Sequence, residues 1–157
     1  MKKSLLLFAV ILILTTRVLF SQVGYPDMDK MRVEIQTMNL KFADGVTKKD
    51  ASAFMYLYTD NAKILVPDEE FIMGNDKVRQ WWDTYLKGDI HSISLNTVSL
   101  SGDNDVIYET GQVIREIWKN DKASMQYDKY LTVWRQQDDG SYKIAVSCWN
   151  LDKKMDW

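Results

Sequence analysis

The sequence predicts an α+β domain, a curved antiparallel sheet packed against three N-terminal helices. Two changes of pattern lead there. Apolar residues before His91 recur largely at helical spacing, whereas from His91 onward apolar, β-branched and aromatic residues alternate at strand spacing. Turn-forming clusters then cut the second half into four long strands.

The chain opens with "MKKSLLLFAVILILTTRVLFSQ", which combines basic Lys2 and Lys3, an apolar run from Leu5 to Leu14 and a small residue at Ser21. This is the three-part pattern of a secretory signal peptide over residues 1–21, leaving a domain over 22–157. The run of ten is about half of what spans a bilayer, which sets an uncleaved anchor second. Met28, Met31, Ile35, Met38 and Phe42 form one stripe of a first helix from about Asp27 to Ala43, with Asp27 as its cap and Gly45 as its stop. Asp50 is a cap for a short second helix that buries Phe54, Leu57 and Tyr58. "AKILVP" and "FIMG" read as short strands stopped by Pro67 and Gly74. "NDKVRQWWDTYLKG" reads as a third helix, capped by Asn75 and closed by Gly88. The four long strands fall at about 91–101, 105–118, 124–137 and 141–150, separated by "SGDND", "KNDKA" and "QDDGS". Asp139-Gly140 is the strongest turn signal of these.

Composition narrows the function. The chain holds 20 Lys+Arg against 22 Asp+Glu, and losing Lys2, Lys3 and Arg17 with the signal raises the acidic excess to five. Interspersed charge of that sign argues against a nucleic-acid or anionic-membrane surface. Cys148 is the single cysteine, so no intramolecular disulfide can form and the core alone must hold the fold. A nucleophilic cysteine needs a base, yet the only histidine, His91, opens a different strand. Cys148 therefore reads as a small packing residue and His91 as a surface residue. No metal-ligand spacing, phosphate loop or serine-nucleophile motif is present, and the acidic clusters lie where hairpins must turn. No cofactor is expected.

The order of elements, with "YLYTDNAKILVP", "MGNDKVRQWW", "SGDNDVIYETG" and "KYLTVWRQQDDGSYKIAVSCWN", resembles the SnoaL-like, nuclear-transport-factor-2-like superfamily over about residues 28–150. Within it the small domains typified by ketosteroid isomerase are the nearest in pattern. The resemblance implies a cone: helices closing one side of a bent sheet, a pocket inside, and often a homodimer through the sheet's outer face. It implies little about chemistry, because this fold hosts enzymes and binding proteins alike. The isomerase's base lies after the second helix, where this chain offers Asp60 in "YTDNA", equally explained as a turn residue. Its tyrosine comes from the first helix, and none occurs from Asp27 to Ala43, which counts against steroid-type isomerisation.

Strand alternation sorts the remaining candidates. Asp128, Tyr130, Thr132 and Trp134 share one face, and the resemblance turns that face into the cone. Glu109, Gly111 and Val113 would join them from the preceding strand, and Val146, Cys148 and Asn150 from the last one. The opposite parity, with Tyr108, Thr110 and Gln112 inward, stays open. Glycine at 111 leaves room where a ligand or a bend approaches. Glu109 or Asp128 as base with Tyr130 as donor would make the acid–base set, since an apolar cavity raises a carboxyl pKa. Tyr58, Trp82, Trp134 and Asn150 are the expected ligand contacts, and Trp81 and Trp82 must point in different directions. Three readings follow: a secreted or periplasmic domain binding a small apolar or aromatic molecule, a cofactor-free acid–base enzyme, or a filled cone serving as an interaction module.

Overall fold

The computed structural model describes residues 26–152; the predicted signal segment lies outside the described residues. Helix α1 spans Met28–Thr47. The Asp27 side chain accepts hydrogen bonds from the backbone N–H groups of Asp29 and Lys30 at 3.1 and 3.2 Å, satisfying donors that a helix start leaves open. Met31, Ile35, Met38 and Phe42 are buried along the predicted stripe. Gly45 does not stop the helix. It lies inside α1 because Phe54 packs on it: a Cβ there would sit 2.5 Å from the Phe54 ring. The helix instead ends at Lys48, and Lys49 takes the left-handed conformation at φ 58°. The Lys49 ammonium donates to the carbonyls of Gly88 and Ile90, tying the end of α1 to the start of β3 (Ile90–Gly102).

The expected second helix is absent from this region, which forms two 3₁₀ turns, Ala51–Ala53 and Met55–Leu57. Asp50 caps the first turn, accepting from the Ser52 N–H at 2.9 Å. Ala51, Phe54, Met55, Leu57 and Tyr58 are all buried. One stripe of an α-helix cannot bury so dense a run, whereas tight turns present side chains on several sides. The chain straightens at Tyr58 to begin β1 (Tyr58–Leu65), followed by the two-residue β2 (Ile72–Met73). Helix α2 spans Asn75–Tyr85. Its cap position is Gly74 at φ 97°, and Asn75 reaches back to the Thr59 carbonyl at 3.4 Å rather than capping. The described residues thus hold two α-helices where three were expected.

Strands β4 (Val106–Lys119), β5 (Lys122–Gln136) and β6 (Tyr142–Leu151) complete an open, curved sheet in the order β2-β1-β6-β5-β4-β3. All neighbours are antiparallel except β1 and β6. Asn120 and Asp121, at φ 50° and 59°, make the two-residue β4–β5 hairpin, whose paired positive φ values match the strands' twist. Gly140 at φ 82° turns β5 into β6 at the predicted site.

The inner face of β4 and β5 follows the expected parity. Glu109, Gly111, Val113, Asp128, Tyr130, Thr132 and Trp134 are buried, and Tyr108, Thr110 and Gln112 are exposed. Strand β6 does not follow it. Trp134 pairs with Ile144 but Val133 pairs with Val146, so Ala145 is the extra residue of a β-bulge. A one-residue bulge sends every later side chain to the opposite face. Ser147 and Trp149 consequently face inward, opposite Thr132 and Tyr130, while Val146, Cys148 and Asn150 face outward.

Candidate functional site: an aromatic cavity between two buried carboxyl groups

The inner face of β3 to β6, together with α1 and α2, encloses a cavity. Its volume, counted as space open to the centre of a water molecule, is about 50 Å³. One water needs roughly 10–15 Å³ on that scale, so several waters or a small flat group can enter. Tyr58, Trp82 and Trp134 line it as expected, and Trp149 joins them. The Trp82 indole donates to the Tyr58 hydroxyl at 3.2 Å and meets Phe42 and Phe54 edge-on, both with ring centres at 5.3 Å. Burial pushes the Tyr58 phenol pKa up, which keeps this wall uncharged. The Trp81 ring meets Trp82 edge-on at 4.8 Å and stacks on Tyr85, also at 4.8 Å, so the two neighbouring indoles join one aromatic cluster instead of pointing apart.

Glu109 lies fully buried on β4. Its Oε1 accepts hydrogen bonds from Asn39 Nδ2 and the Thr97 hydroxyl, each at 2.7 Å, and from the Tyr130 hydroxyl at 2.6 Å. Its Oε2 accepts from the Trp134 indole at 2.9 Å. A carboxyl group has about four acceptor positions, so protein donors match its capacity. The Tyr130 phenol pKa is driven up by burial and by the neighbouring Glu109 carboxyl. Gly111 makes this arrangement possible. A Cβ there would lie 2.3 Å from the Asn96 carbonyl oxygen and 2.7 Å from the Tyr130 ring, so the space it leaves is filled by protein rather than by a ligand.

Asp128, also fully buried, meets different chemistry. Arg115 binds its Oδ2 through Nε at 2.7 Å and Nη2 at 2.5 Å, and turns Nη1 to the Tyr85 hydroxyl at 2.7 Å. Asp128 Oδ1 is buried without a hydrogen-bond partner among the described residues. Burial raises the Asp128 pKa against the opposing pull of the Arg115 guanidinium. Glu109 and Tyr130 are therefore joined directly, whereas Asp128 is engaged with Arg115 and Tyr85.

Asn150 is not a ligand contact: the bulge turns it outward, where it is exposed beside Lys129. Cys148 is half-buried on that same outer face, across from Leu131. Asp60 is exposed on β1, and His91 is exposed against the Trp118 ring with centres 5.0 Å apart. No three His, Cys, Asp or Glu side chains among the described residues are grouped to hold a metal ion. Sequence reading missed Asn39, Thr97, Arg115, Ser147 and Trp149. Arg115 shares the parity of Glu109, and Asn39 lies four residues after Ile35 on the buried stripe, so both carried a periodic signal.

Two outcomes follow from these contacts. Glu109→Leu leaves the Asn39 amide and the Trp134 indole without acceptors, at about 1–3 kcal/mol each. Unfolding in urea should show a loss of about 2–6 kcal/mol, with Glu109→Gln costing less because hydroxyls and the Asn39 amide can turn to suit another amide. Asp128 gives a pH signature. Its folded carboxyl has the higher pKa, so the folded state binds the proton more tightly and the ionised group weighs against folding at higher pH. The stability of the native protein relative to Asp128→Asn should be greatest in acid. It should fall as pH rises from the ordinary Asp range through the raised value, in urea titrations of both proteins. Parallel profiles would contradict this.

The architecture has relatives of known structure. A ketosteroid isomerase-like protein from Erwinia carotovora atroseptica superposes with a TM-score of 0.68 at 13% identity, covering 78% of this chain and 96% of that one. A nuclear transport factor 2-like superfamily protein from Salmonella enterica serovar Typhimurium gives 0.70 at 10% identity, with coverage of 82% and 95%. A Catenulispora acidiphila structure in complex with S-DNPA gives 0.67 at 9% identity, with coverage of 79% and 95%. At these identities the likeness is one of fold. No curated protein matches the chain in sequence. The model of the SnoaL-like domain does match, over residues 35–147, and the chain belongs to that family.

Proposed function

We propose that the protein binds a small, largely apolar or aromatic molecule in the cavity. The observation that carries this reading is the lining itself: indole and phenol walls around open space, with both inner carboxyl groups engaged by protein side chains. A flat apolar body gains contact area there without leaving a charge unpaired. The S-DNPA complex of the Catenulispora acidiphila protein supports ligand binding by a domain of this shape. Acid–base catalysis is the second reading, and one observation favours it: Asp128 Oδ1 is an unpartnered carboxyl oxygen with a raised pKa.

A secreted or periplasmic homodimer is part of the proposal. The signal-like N-terminus supports export. On the outer face of the sheet Tyr108, 47% exposed, lies opposite half-buried Val133, which pairs with Val146, and Tyr127, 57% exposed, lies opposite half-buried Ile114. Exposed tyrosines and half-buried aliphatic side chains on one sheet face suit burial against a second copy.

Titration of ¹⁵N-labelled protein with ethylbenzene, followed through the indole N–H signals, tests the cavity. Saturable shifts of Trp82 and Trp134 are expected, and Val113→Trp, which fills the space, should abolish them. Absence of any shift in the native protein would overturn the binding reading. Native mass spectrometry of the exported protein should show a dimer of chains lacking residues 1–21, reduced to monomer by Tyr127→Asp. A full-length monomer would remove both the export and the dimer proposals.

A further inference from the structure

Thr132 on β5 and Ser147 on β6 sit directly opposite each other and both line the cavity. Side chains so paired on one face have their Cβ atoms about 4.5–5.5 Å apart, close enough for two hydroxyls to reach one atom between them. The phenol hydroxyls of the wall each have a protein partner: Tyr130 donates to Glu109, while Tyr58 accepts from the Trp82 indole and Tyr85 from Arg115 Nη1. The hydroxyls of Thr132 and Ser147 have no hydrogen-bond partner among the described residues. Thr132 is only 5% exposed, so the cavity is the principal space open to its hydroxyl. Leaving such a group unpaired against an apolar occupant forfeits its hydrogen bonds to water.

Resting on the cavity-binding reading above, we infer that Thr132 and Ser147 form a paired hydrogen-bonding position that selects an uncharged, flat ligand carrying one acceptor oxygen. An aryl ketone is the simplest such molecule. The preference for a neutral ligand follows from Arg115. Its Nε and Nη2 are held by Asp128 and its Nη1 by Tyr85, so the cavity's cation is already matched by a carboxyl group. A charged ligand would lose its hydration without gaining an unmatched counter-charge. The two hydroxyls instead present donors to a carbonyl, and the aromatic walls take up the ring.

Acetophenone and ethylbenzene test this, since they share a shape and differ in the acceptor. Both are titrated into the full, ¹⁵N-labelled chain and followed through the indole signals, in the native protein and in Thr132→Val, Ser147→Ala and the double variant. Two neutral hydrogen bonds predict that the ratio of acetophenone to ethylbenzene affinity drops about tenfold in the double variant and about threefold in each single one. Ethylbenzene affinity itself should stay within about twofold. An unchanged ratio in both single variants, or acetophenone failing to bind where ethylbenzene binds, overturns the inference and leaves the apolar cavity standing. If ethylbenzene does not bind the native protein, the cavity-binding reading and this inference fall together. The near-isosteric single variants decide the matter if the double variant does not fold.

Discussion

A fully buried carboxyl group, Glu109, is the constraint around which the domain is arranged. Such a group is tolerated in an apolar interior only when hydrogen bonds replace the water it has lost. Here they come from four side chains on three elements: Asn39 on α1, Thr97 on β3, and Tyr130 and Trp134 on β5. Apolar contacts between α1 and the sheet would tolerate a small slide or rotation of the helix. The 2.7 Å bond from Asn39 does not, so the polar contact sets the register that the apolar stripe then fills.

The same constraint separates the roles of the two inner carboxyl groups. Glu109 sits among neutral donors and spends the hydroxyl of Tyr130, which removes the carboxyl–phenol pair from ready contact with a ligand. Asp128 faces one cation on one oxygen and has no hydrogen-bond partner among the described residues on the other. Its partner Arg115, with Tyr85, lines both the cavity and a groove outside it, so the ion pair stands at the boundary between the two. Structural demand is concentrated at Glu109, and whatever adjustable polarity the cavity has lies toward Asp128.

Much of this was legible in the sequence because it is periodic. The stripe from Met31 to Phe42 identified the buried face of α1, and the alternation along β4 and β5 sorted their residues into two faces. The family resemblance pointed to the one with Glu109 and Tyr130, which is buried. The failures occurred where one local feature has two physical uses. Gly45 looked like a helix stop, but its missing side chain makes room for the Phe54 ring. The dense apolar run from Ala51 to Tyr58 looked helical, but burying it on several sides needs tight turns and an early strand. The position of Asn39 on the buried stripe was periodic, but its partner was not: the acceptor on Glu109 lies 70 positions away, and such pairing leaves no mark on the local pattern.

The bulge at Ala145 shows how far one such feature reaches into function. With regular pairing, the cavity wall from β6 would continue from Ile144 through Val146, Cys148 and Asn150. That wall would offer a thiol and an amide. The extra residue replaces them with Ser147 and Trp149, placing a hydroxyl opposite Thr132 and an indole opposite Tyr130. Nothing in "YKIAVSCWN" distinguishes the two registers by hydrophobicity, since both parities carry apolar and small side chains. What separates them is the fit to neighbouring strands. Trp149 can pack on Trp81 and Trp82, at ring distances of 5.6 and 6.2 Å, only from the inner face, and that aromatic contact helps hold the bulged register. The chemistry of the cavity wall is thus decided by tertiary packing on α2 as much as by the order of residues in β6.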